Sequence, residues 1–356
     1  VRFLPRSVIK KNRKRKNFSL RIGYRLVEKL LTGREILVTG SNGFAGSHLL
    51  DCLCKKQSNN IFGLVKVNAR MRNVKHLINK INFIEGDLTD PLSMNNLISS
   101  VKPDIIYHLG ALSWVSPSWK MPSAFFNVNA IGTINLFESI RSANINPKIL
   151  VTCTPEEFGD VKEENLPITE KTILAPVNHY AASKTAQDAL CQSYFASYKM
   201  RIVRCRAFNH EGPRRDINGA IASFSYQIAR IENNLQKNII EVGNLSAKRN
   251  FTHVVDIVKA YCLAMEKGKE GELYLIGSNM IYTIKEVLEK LIKLSTNNKI
   301  TYNVVNSRVR PTELNNLVGD CKKFINLTNW KYEKTMDDIL IDVLEYWRTF
   351  VKNKLY

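Results

Sequence analysis

A short apolar run followed at once by a glycine-rich turn does most to limit the folds open to this chain. Glu35–Thr39 form the run, the turn carries Gly40, Gly43 and Gly46, and residues 47–53 continue with helical spacing. This order is typical of the first unit of a parallel α/β sheet, where glycines let the backbone approach a pyrophosphate at a helix N-terminus. The spacing Gly-x-x-Gly-x-x-Gly indicates a variant of the commoner dinucleotide fingerprint, and a plain strand–helix turn is the alternative.

The same alternation of apolar runs and helical patterns continues along the chain. Further apolar runs predict parallel strands at 60–66, 81–86, 104–109, 148–153 and 200–206. The pattern predicts an α/β fold, a Rossmann-type doubly wound parallel sheet. Elements are sparser after this region, where we expect a smaller C-terminal substrate-binding lobe interleaved with the last strands of the sheet. The predicted units are a basic extension over 1–33, a dinucleotide-binding domain over 34–208 and the lobe over 209–356.

The net charge of +20 is concentrated at the start of the chain. Residues 1–34 carry 12 Lys or Arg against Glu28 alone. Such a start is compatible with binding of RNA, DNA or anionic lipid, or with a transit peptide. Because no aromatic interleaving or folded nucleic-acid module accompanies the charge, we expect a disordered extension without a nucleic-acid partner. Since the chain opens with Val1, translated sequence upstream of the natural start is an equivalent expectation.

Composition bounds the class of protein further. No uninterrupted apolar run is long enough to span a bilayer, so we expect a soluble protein. The seven cysteines are scattered and lack Cys-x-x-Cys spacing, which predicts neither a disulfide framework nor a zinc site and favours a cytoplasmic location. We interpret His108, His179, His210 and His253 as structural residues, and we predict no metal site.

A second motif places Tyr180 and Lys184 one helical turn apart. Because positions i and i+4 share a helix face, the Lys184 ammonium is expected to lower the pKa of the Tyr180 phenol. Thr154 and Glu156 follow the predicted strand 148–153, at the sheet edge where open α/β sheets place their active sites. Together with the glycine turn, these residues indicate an enzyme that performs hydride chemistry.

With these residues assembled, the chain from about Glu35 onward resembles the extended short-chain dehydrogenase/reductases of the NAD-dependent epimerase/dehydratase type. Within them it is similar to the GDP-mannose 4,6-dehydratase and GDP-4-keto-6-deoxymannose reductase group. The further local matches are Gly86-Asp87-Leu88-Thr89-Asp90, Phe208-Asn209-His210-Glu211-Gly212-Pro213-Arg214-Arg215, Val242-Gly243-Asn244-Leu245 with Lys248-Arg249, and Arg310-Pro311-Thr312-Glu313. The resemblance implies a GDP-sugar substrate held by Asn209, Arg249, Arg310 and Glu313, in keeping with the bidentate binding of phosphate by arginine.

The resemblance also implies where the cofactor binds. The implied residues are Gly40, Asn42, Gly43, Phe44, Gly46, Asp87, Leu88, Gly110, Ala111, Tyr180 and Lys184. Lys66 ends the second predicted strand, where an NAD enzyme usually has a carboxylate, and Arg70 and Arg72 follow it. Positive charge there favours a 2′-phosphate, so the predicted cofactor is NADP.

The resemblance implies a homodimer or a dimer of dimers. The helix after Lys184 carries an apolar stripe that suits either the core or a dimer face. The residues of the stripe are Ala189, Leu190, Cys191, Tyr194 and Phe195.

Three functions follow as hypotheses. The first is 4,6-dehydration of GDP-mannose to GDP-4-keto-6-deoxymannose, in which Tyr180 takes the proton of the carbon-4 hydroxyl, Thr154 binds the same oxygen and Glu156 removes the carbon-5 proton. The second is NADPH-dependent reduction of a 4-keto-6-deoxy nucleotide-sugar. The third is a non-catalytic NADP-binding regulator, against which the combination of Thr154, Tyr180 and Lys184 argues. Glu156 places dehydration first.

Several departures from the dehydratase pattern bear on this ranking. Pro155 replaces the hydroxyl-bearing residue usual in the dehydratase, and the loop after the second predicted strand is shorter than the Arg- and Ser-rich loop of that enzyme. Both departures favour the reductase. Reductases of the same group also carry a Glu at the position of Glu156, often in a Glu pair that Glu156-Glu157-Phe158-Gly159 reproduces. Asn178-His179 replaces the usual Ser-Pro before the Tyr, and Asn250 replaces an Asp, so the local fit of the substrate is open.

Overall fold

The computed structural model describes residues 33–55 and 59–353 of the chain. The predicted basic extension therefore lies outside the described residues, apart from Gly33.

The strands alternate with helices along the chain. In chain order the strands are β1 (Glu35–Thr39), β2 (Asn60–Val65), β3 (Asn82–Glu85), β4 (Ile105–His108), β5 (Lys148–Cys153), β6 (Arg201–Ala207), β7 (His210–Glu211), β8 (Ile239–Val242), β9 (Lys248–Asn250), β10 (Thr252–His253), β11 (Leu273–Ile276), β12 (Ile281–Thr283), β13 (Thr301–Val304) and β14 (Asn316–Leu317). The six strands predicted from the sequence correspond to β1–β6, and each predicted end lies within one residue of the observed end.

The α-helices complete the alternation. They are α1 (Phe44–Leu53), α2 (Pro91–Val101), α3 (Val115–Ser118), α4 (Pro122–Phe126), α5 (Gly132–Ser142), α6 (His179–Tyr198), α7 (Ala220–Glu232), α8 (Val254–Lys267), α9 (Ile284–Lys293), α10 (Lys322–Thr328) and α11 (Met336–Lys352). Over residues 33–55 and 59–353, none of the helices is both long and apolar enough to cross a bilayer.

Seven parallel strands form the central sheet, in the order β11-β6-β5-β4-β1-β2-β3. This is the doubly wound Rossmann order with one strand added at an edge, so the predicted fold class is confirmed. The strand order reverses between β1 and β4, and open α/β sheets bind their ligands outside the carboxyl ends of the strands at such a point.

Apolar side chains cover both faces of the sheet. On β1, Ile36 and Val38 pack into one layer with α1 and α8, while Leu37 packs into the opposite layer with α2, α5 and α6. All three side chains are fully buried, as the apolar run predicts for a parallel strand. In the second layer Cys191 and Tyr194 are also buried, so these members of the predicted stripe on α6 belong to the core.

Residues after β6 form a second apolar cluster around α7, α9 and α11. Beside it lies a three-stranded sheet in the order β12-β9-β14. The chain also returns to the central sheet, because α8 packs on one face and β11 pairs with β6. The division of the chain at 208/209 stays a prediction.

Candidate active site

The glycine turn after β1 is tight enough to require glycine at two positions. Gly40 has φ +67°, and a Cβ on it would lie 2.8 Å from the backbone nitrogen of Gly110. A Cβ on Gly46 would lie 2.1 Å from the carbonyl oxygen of Gly40. Helix α1 begins directly after Gly43, which has no side chain to cap the first amides. These amides and the positive end of the helix dipole fit the pyrophosphate of a dinucleotide.

The turn opens into a cavity of about 910 Å³ at the carboxyl edge of the sheet. The predicted site residues that line it are Gly40, Asn42, Gly43, Phe44, Gly46, Lys66, Leu88, Gly110, Ala111, Thr154, Glu156, Tyr180, Lys184, Asn209, Arg249, Arg310 and Glu313. The structure thus brings together residues from distant parts of the chain in one space large enough for two ligands.

Arg70 and Asp87 are the predicted site residues that do not line the cavity. The carbonyl of Arg70 accepts a hydrogen bond of 3.2 Å from the Asn42 side chain, and Arg72 lines the cavity instead. Asp87 lies 3.3 Å from the Lys66 ammonium and accepts two hydrogen bonds from Thr89. Burial raises the pKa of Asp87, but these hydrogen bonds and Lys66 together bring it below its usual value.

Tyr180 lies in the first turn of α6, and Thr154 directly follows β5. Burial raises the pKa of the Tyr180 phenol, whereas a hydrogen bond with Thr154 and the charge of Arg215 lower it. The net direction is upward, so the expectation that this phenol is acidified is wrong for the groups arranged here. The reason is that desolvation of the phenolate outweighs the stabilising contacts.

Lys184 is held by groups other than the Tyr180 phenol. Its side chain is buried, which lowers its pKa, and it donates to the Thr152 carbonyl and to Gln187. Thr152 lies on β5 and Gln187 on α6, so the ammonium is held by one contact from the sheet and one from its own helix.

Gln187 continues this network of buried hydrogen bonds. Its amide donates to the Thr133 hydroxyl at 2.8 Å, and Thr133 lies 3.0 Å from His108 Nε2. His108 Nδ1 lies 2.8 Å from the hydroxyl of Thr39, at the end of β1. Burial and the Lys184 charge lower the pKa of His108 to about 3, so the imidazole is neutral. This network of hydrogen bonds therefore connects the end of β1, next to the glycine turn, with Lys184 without adding another charge.

Glu156 lines the cavity together with Tyr180 and Arg249. Burial raises the pKa of Tyr180 and lowers that of Arg249, and the charge of Glu156 contributes an increase to both, so the carboxylate acts on both groups. One carboxylate oxygen accepts a hydrogen bond of 3.0 Å from the side chain of Asn178. The carboxylate is thereby fixed in the cavity beside Tyr180.

Glu157, the second member of the Glu pair, is completely buried. It accepts a 2.8 Å hydrogen bond from the Thr154 amide and another of 2.8 Å from Arg206. Arg206 also pairs with Asp188 at 2.7 Å, and Asp188 pairs with Arg204 at 3.1 Å. Burial raises the pKa of Glu157 to about 7, against the opposing charge of Arg206. Glu157 therefore supports the loop and does not face the cavity.

The two arginines of the Gly-Pro-Arg-Arg segment have different environments. Arg214 forms an ion pair of 2.7 Å with Asp51. Arg215 lies between two rings, 5.0 Å from the centroid of Phe44 and 4.7 Å from that of Trp114, and it lines the cavity. Both arginines line the cavity, and the sequence assigned neither Arg215 nor Trp114 to the site because the doublet has no local signal for the rings that contact Arg215.

Arg249 and Arg310 enter the cavity from the second lobe. Arg249 is 5% exposed, and its guanidinium donates to the carbonyls of Lys248 at 2.8 Å and Leu314 at 2.7 Å. The backbone nitrogen of Arg310 donates to Glu313 at 3.3 Å. Burial lowers the pKa of Arg249, and the charge of Arg310 lowers it as well, so the two cations of the cavity lining are near enough to each other to bind one anionic group together.

Asn250, the departure that left the substrate fit open, has a structural role. Its side chain donates to the Ser278 carbonyl at 2.6 Å and accepts from the Gly319 amide at 3.0 Å. It is 1% exposed and is not part of the cavity lining. Over residues 33–55 and 59–353, the structure contains no group of three or more His, Cys, Asp or Glu side chains arranged to hold a metal ion.

Comparison with known proteins identifies relatives along most of the chain. A family model described as GDP-mannose 4,6 dehydratase matches residues 37–343. GDP-6-deoxy-D-mannose reductase of Pseudomonas aeruginosa is 29% identical over 90% of this chain and 99% of that protein. GDP-mannose 4,6 dehydratase of Homo sapiens is 27% identical over 86% of this chain and 90% of that protein. The solved structure of RMD from Pseudomonas aeruginosa complexed with NADPH has a TM-score of 0.75 and 29% identity, covering 88% of this chain and 98% of that one.

Proposed function

The chain belongs to the GDP-mannose 4,6 dehydratase family, and from this premise we propose that it is a nucleotide-sugar 4,6-dehydratase that converts GDP-mannose to GDP-4-keto-6-deoxymannose. The resemblance inferred from the sequence is confirmed, and the chain is an enzyme of nucleotide-sugar metabolism. The observation that carries the choice of dehydratase is the Glu156 carboxylate, which lines the cavity and acts electrostatically on Tyr180.

Tyr180 and Thr154 serve the carbon-4 hydroxyl in this proposal. Tyr180, as its phenolate, takes the hydroxyl proton, and Thr154 donates a hydrogen bond to the same oxygen. NADP held in the cavity would supply the other half of the chemistry, which is transfer of a hydride from carbon 4 and its return to carbon 6. Burial raises the pKa of Tyr180, and the hydrogen bond with Thr154 and the charge of Arg215 oppose that increase in part, which is the direction that this step needs.

Glu156 performs the elimination. A ketone at carbon 4 acidifies the hydrogen on carbon 5, and the Glu156 carboxylate removes it as a proton. The carboxylic acid formed is the proton source for the carbon-6 hydroxyl, whose bond to carbon 6 breaks as water leaves. Because Glu156 has given its proton to the leaving hydroxyl, the proton that carbon 5 regains comes from solvent, and each turnover exchanges the carbon-5 hydrogen with solvent. A ketone reductase has no need of this second base.

Arg249 and Arg310 hold the diphosphate in the proposal, with Asn209 and Glu313 contacting the remainder of the nucleotide. The backbone carbonyls that Arg249 already contacts fix its plane and leave other N–H groups of its guanidinium for phosphate oxygens. Two neighbouring arginines compensate the charge of a diphosphate while the sugar lies beside Glu156 and Tyr180.

NADP is the proposed cofactor. Lys66 and Arg72 line the cavity next to the turn after β2, and no carboxylate takes the place of Lys66 at the end of that strand. Two cations suit a 2′-phosphate better than a free ribose hydroxyl. The relative whose structure contains NADPH supports the same choice.

Reduction of a 4-keto-6-deoxy nucleotide-sugar is the second candidate, favoured by the match to a reductase over nearly its full length. Of the Glu pair that the reductases share, Glu156 lines the cavity, whereas Glu157 is buried in an ion pair with Arg206. We further propose a homodimer or dimer of dimers in the cytoplasm, and light scattering of the purified protein tests the oligomeric part.

The test uses the wild type, Glu156→Gln and Tyr180→Phe with GDP-mannose, a catalytic amount of NADP and deuterium oxide. The wild type should lose water and gain deuterium at carbon 5. Tyr180→Phe should lower turnover about 10²- to 10⁴-fold while NADP binding is retained. Glu156→Gln should lose the deuterium label and the water loss together.

Glu164→Gln is the matched control, because Glu164 is 74% exposed. It should behave as the wild type. Water loss that continues unchanged in Glu156→Gln would contradict the role given to this base.

A further inference from the structure

The side chain of Asn178 connects Glu156 to the first turn of α6, the helix that carries Tyr180. It is the N-cap of α6, in extended conformation, and is 5% exposed. Its Oδ1 accepts a 2.8 Å hydrogen bond from the backbone amide of Ala181, and its Nδ2 donates a 3.0 Å hydrogen bond to Glu156. Tyr180 lies between these two contacts in the sequence, in the first turn of the helix.

The orientation of this amide follows from its neighbours. The Ala181 amide can only donate, so the Asn178 oxygen must face it. The nitrogen then points at the Glu156 carboxylate, which can only accept when ionised. Both ends of the Asn178 amide are satisfied in this arrangement and in no other.

We propose that Asn178 is a positioning residue for Glu156: it fixes the carboxylate relative to Tyr180, so that the base for carbon 5 and the phenol for carbon 4 are held by one helix cap. This assignment rests on the proposed dehydratase function. It also gives a purpose to the departure from Ser-Pro, because serine has one oxygen at the cap and no second atom that reaches the carboxylate while that oxygen accepts from the helix.

Two variants separate the capping role of Asn178 from its contact with Glu156. Serine and aspartate are N-caps about as good as asparagine, so Asn178→Ser and Asn178→Asp both keep the helix cap. The serine variant removes the donor to Glu156. The aspartate variant replaces it with a second carboxylate, which disfavours the ionised form of Glu156. Tyr180 on α6 and Arg249 on β9 are the titratable and charged groups whose pKa values respond to Glu156, and both are unchanged in these variants.

The experiment measures two steps with GDP-mannose in deuterium oxide. One is deuterium incorporation at carbon 5, and the other is the rapid-mixing absorbance change of the nicotinamide, which reports hydride transfer from carbon 4. In Asn178→Ser, carbon-5 exchange should fall about tenfold to a hundredfold through misplacement of the base, while hydride transfer stays within about threefold of the wild type. In Asn178→Asp, the acidic limb of the pH profile of exchange should move to higher pH. Melting temperatures of both variants should match the wild type.

A double-variant cycle excludes a purely structural role. In a Glu156→Asp background, which keeps a base but shortens it away from the Asn178 amide, Asn178→Ser should cause little further loss of carbon-5 exchange, because its effect passes through the contact with the Glu156 carboxylate. Equal loss of both steps in Asn178→Ser, or an unmoved pH profile in Asn178→Asp, overturns the assignment while dehydration by the wild type stands. A wild type that does not dehydrate GDP-mannose overturns the proposed function and this assignment with it.

Discussion

Replacing Arg206 by methionine should destabilise the protein in a way that grows with pH. Arg206 lies on β6, its side chain is 3% exposed, and it bonds Glu157 at 2.8 Å and Asp188 at 2.7 Å. Methionine has similar length but no charge, so both carboxylates lose this cation. Asp188 keeps Arg204 at 3.1 Å, so the larger effect falls on Glu157.

The sign follows from the pKa of Glu157. Burial raises it from 4.5 to about 7 in the folded protein, so the native state binds more protons than the unfolded state between these values. The contribution of Glu157 to the free energy of unfolding of the wild type therefore decreases as the pH rises from 4.5 to about 7, and it is constant above that pH. Without Arg206 the pKa of Glu157 rises further, and the variant continues to lose about 1.4 kcal/mol per pH unit above neutrality.

The magnitude can be bounded at two pH values. At pH 6 Glu157 is largely protonated in both proteins, and the variant lacks chiefly the charged hydrogen bond to Asp188, which costs about 1.5–3 kcal/mol. Around pH 8 the added loss brings the difference to about 3–4.5 kcal/mol, in line with the cost of breaking a buried ion pair. Urea unfolding of both proteins at pH 6, 7 and 8 measures this difference.

Arg201→Met is the matched control. Arg201 lies on the same strand and pairs with Glu270 at the same distance of 2.8 Å, but the two side chains are 44% and 37% exposed. Its loss should cost at most about 1 kcal/mol at any of these pH values. A difference between wild type and Arg206→Met that is independent of pH would refute the reasoning about Glu157.

Two further predictions concern the cofactor. Gly46→Ala places a Cβ 2.1 Å from the Gly40 carbonyl oxygen, so the turn must open. Overpacking of this kind costs about 1–3 kcal/mol, so NADP affinity measured by calorimetry should fall about tenfold or more. An unchanged affinity would contradict the proposed binding of the pyrophosphate by this turn. Lys66→Glu reverses the charge of a side chain that is 61% exposed and beside Asp87, so NADPH affinity should fall about tenfold while NADH affinity is retained; an equal loss for both would remove Lys66 from 2′-phosphate recognition.

The sequence predicted the sheet well because its strands are buried on both faces. Runs such as 148–153 are apolar, short and bounded by polar residues, so local pattern alone marks their ends, and β5 has those bounds. The glycine turn was equally legible, since Gly40 and Gly46 meet contacts that only glycine tolerates. These features depend on neighbouring residues and not on the rest of the fold.

The parts of the site that escaped prediction depend on long-range contacts. Arg206 meets Glu157 across 49 positions of sequence, and Asn178 meets Glu156 across 22, so neither pair has a local signature. The expected acidification of Tyr180 by Lys184 failed for the same reason, because burial and the competing partner Thr152, 32 positions from Lys184, are set by the tertiary structure. The sequence does not distinguish Arg70 from Arg72, and it is the path of the loop that brings Arg72 to the cavity.

The central claim is that this enzyme dehydrates its substrate and regenerates its cofactor. The most direct test incubates the wild type in parallel with GDP-mannose plus a trace of NADP, and with GDP-4-keto-6-deoxymannose plus stoichiometric NADPH, followed by mass spectrometry of the sugar nucleotides. We expect loss of one water from GDP-mannose with many turnovers per cofactor and no net oxidation of NADPH. Intact GDP-mannose together with stoichiometric reduction of the 4-keto sugar would contradict this claim and assign the chain to the reductases.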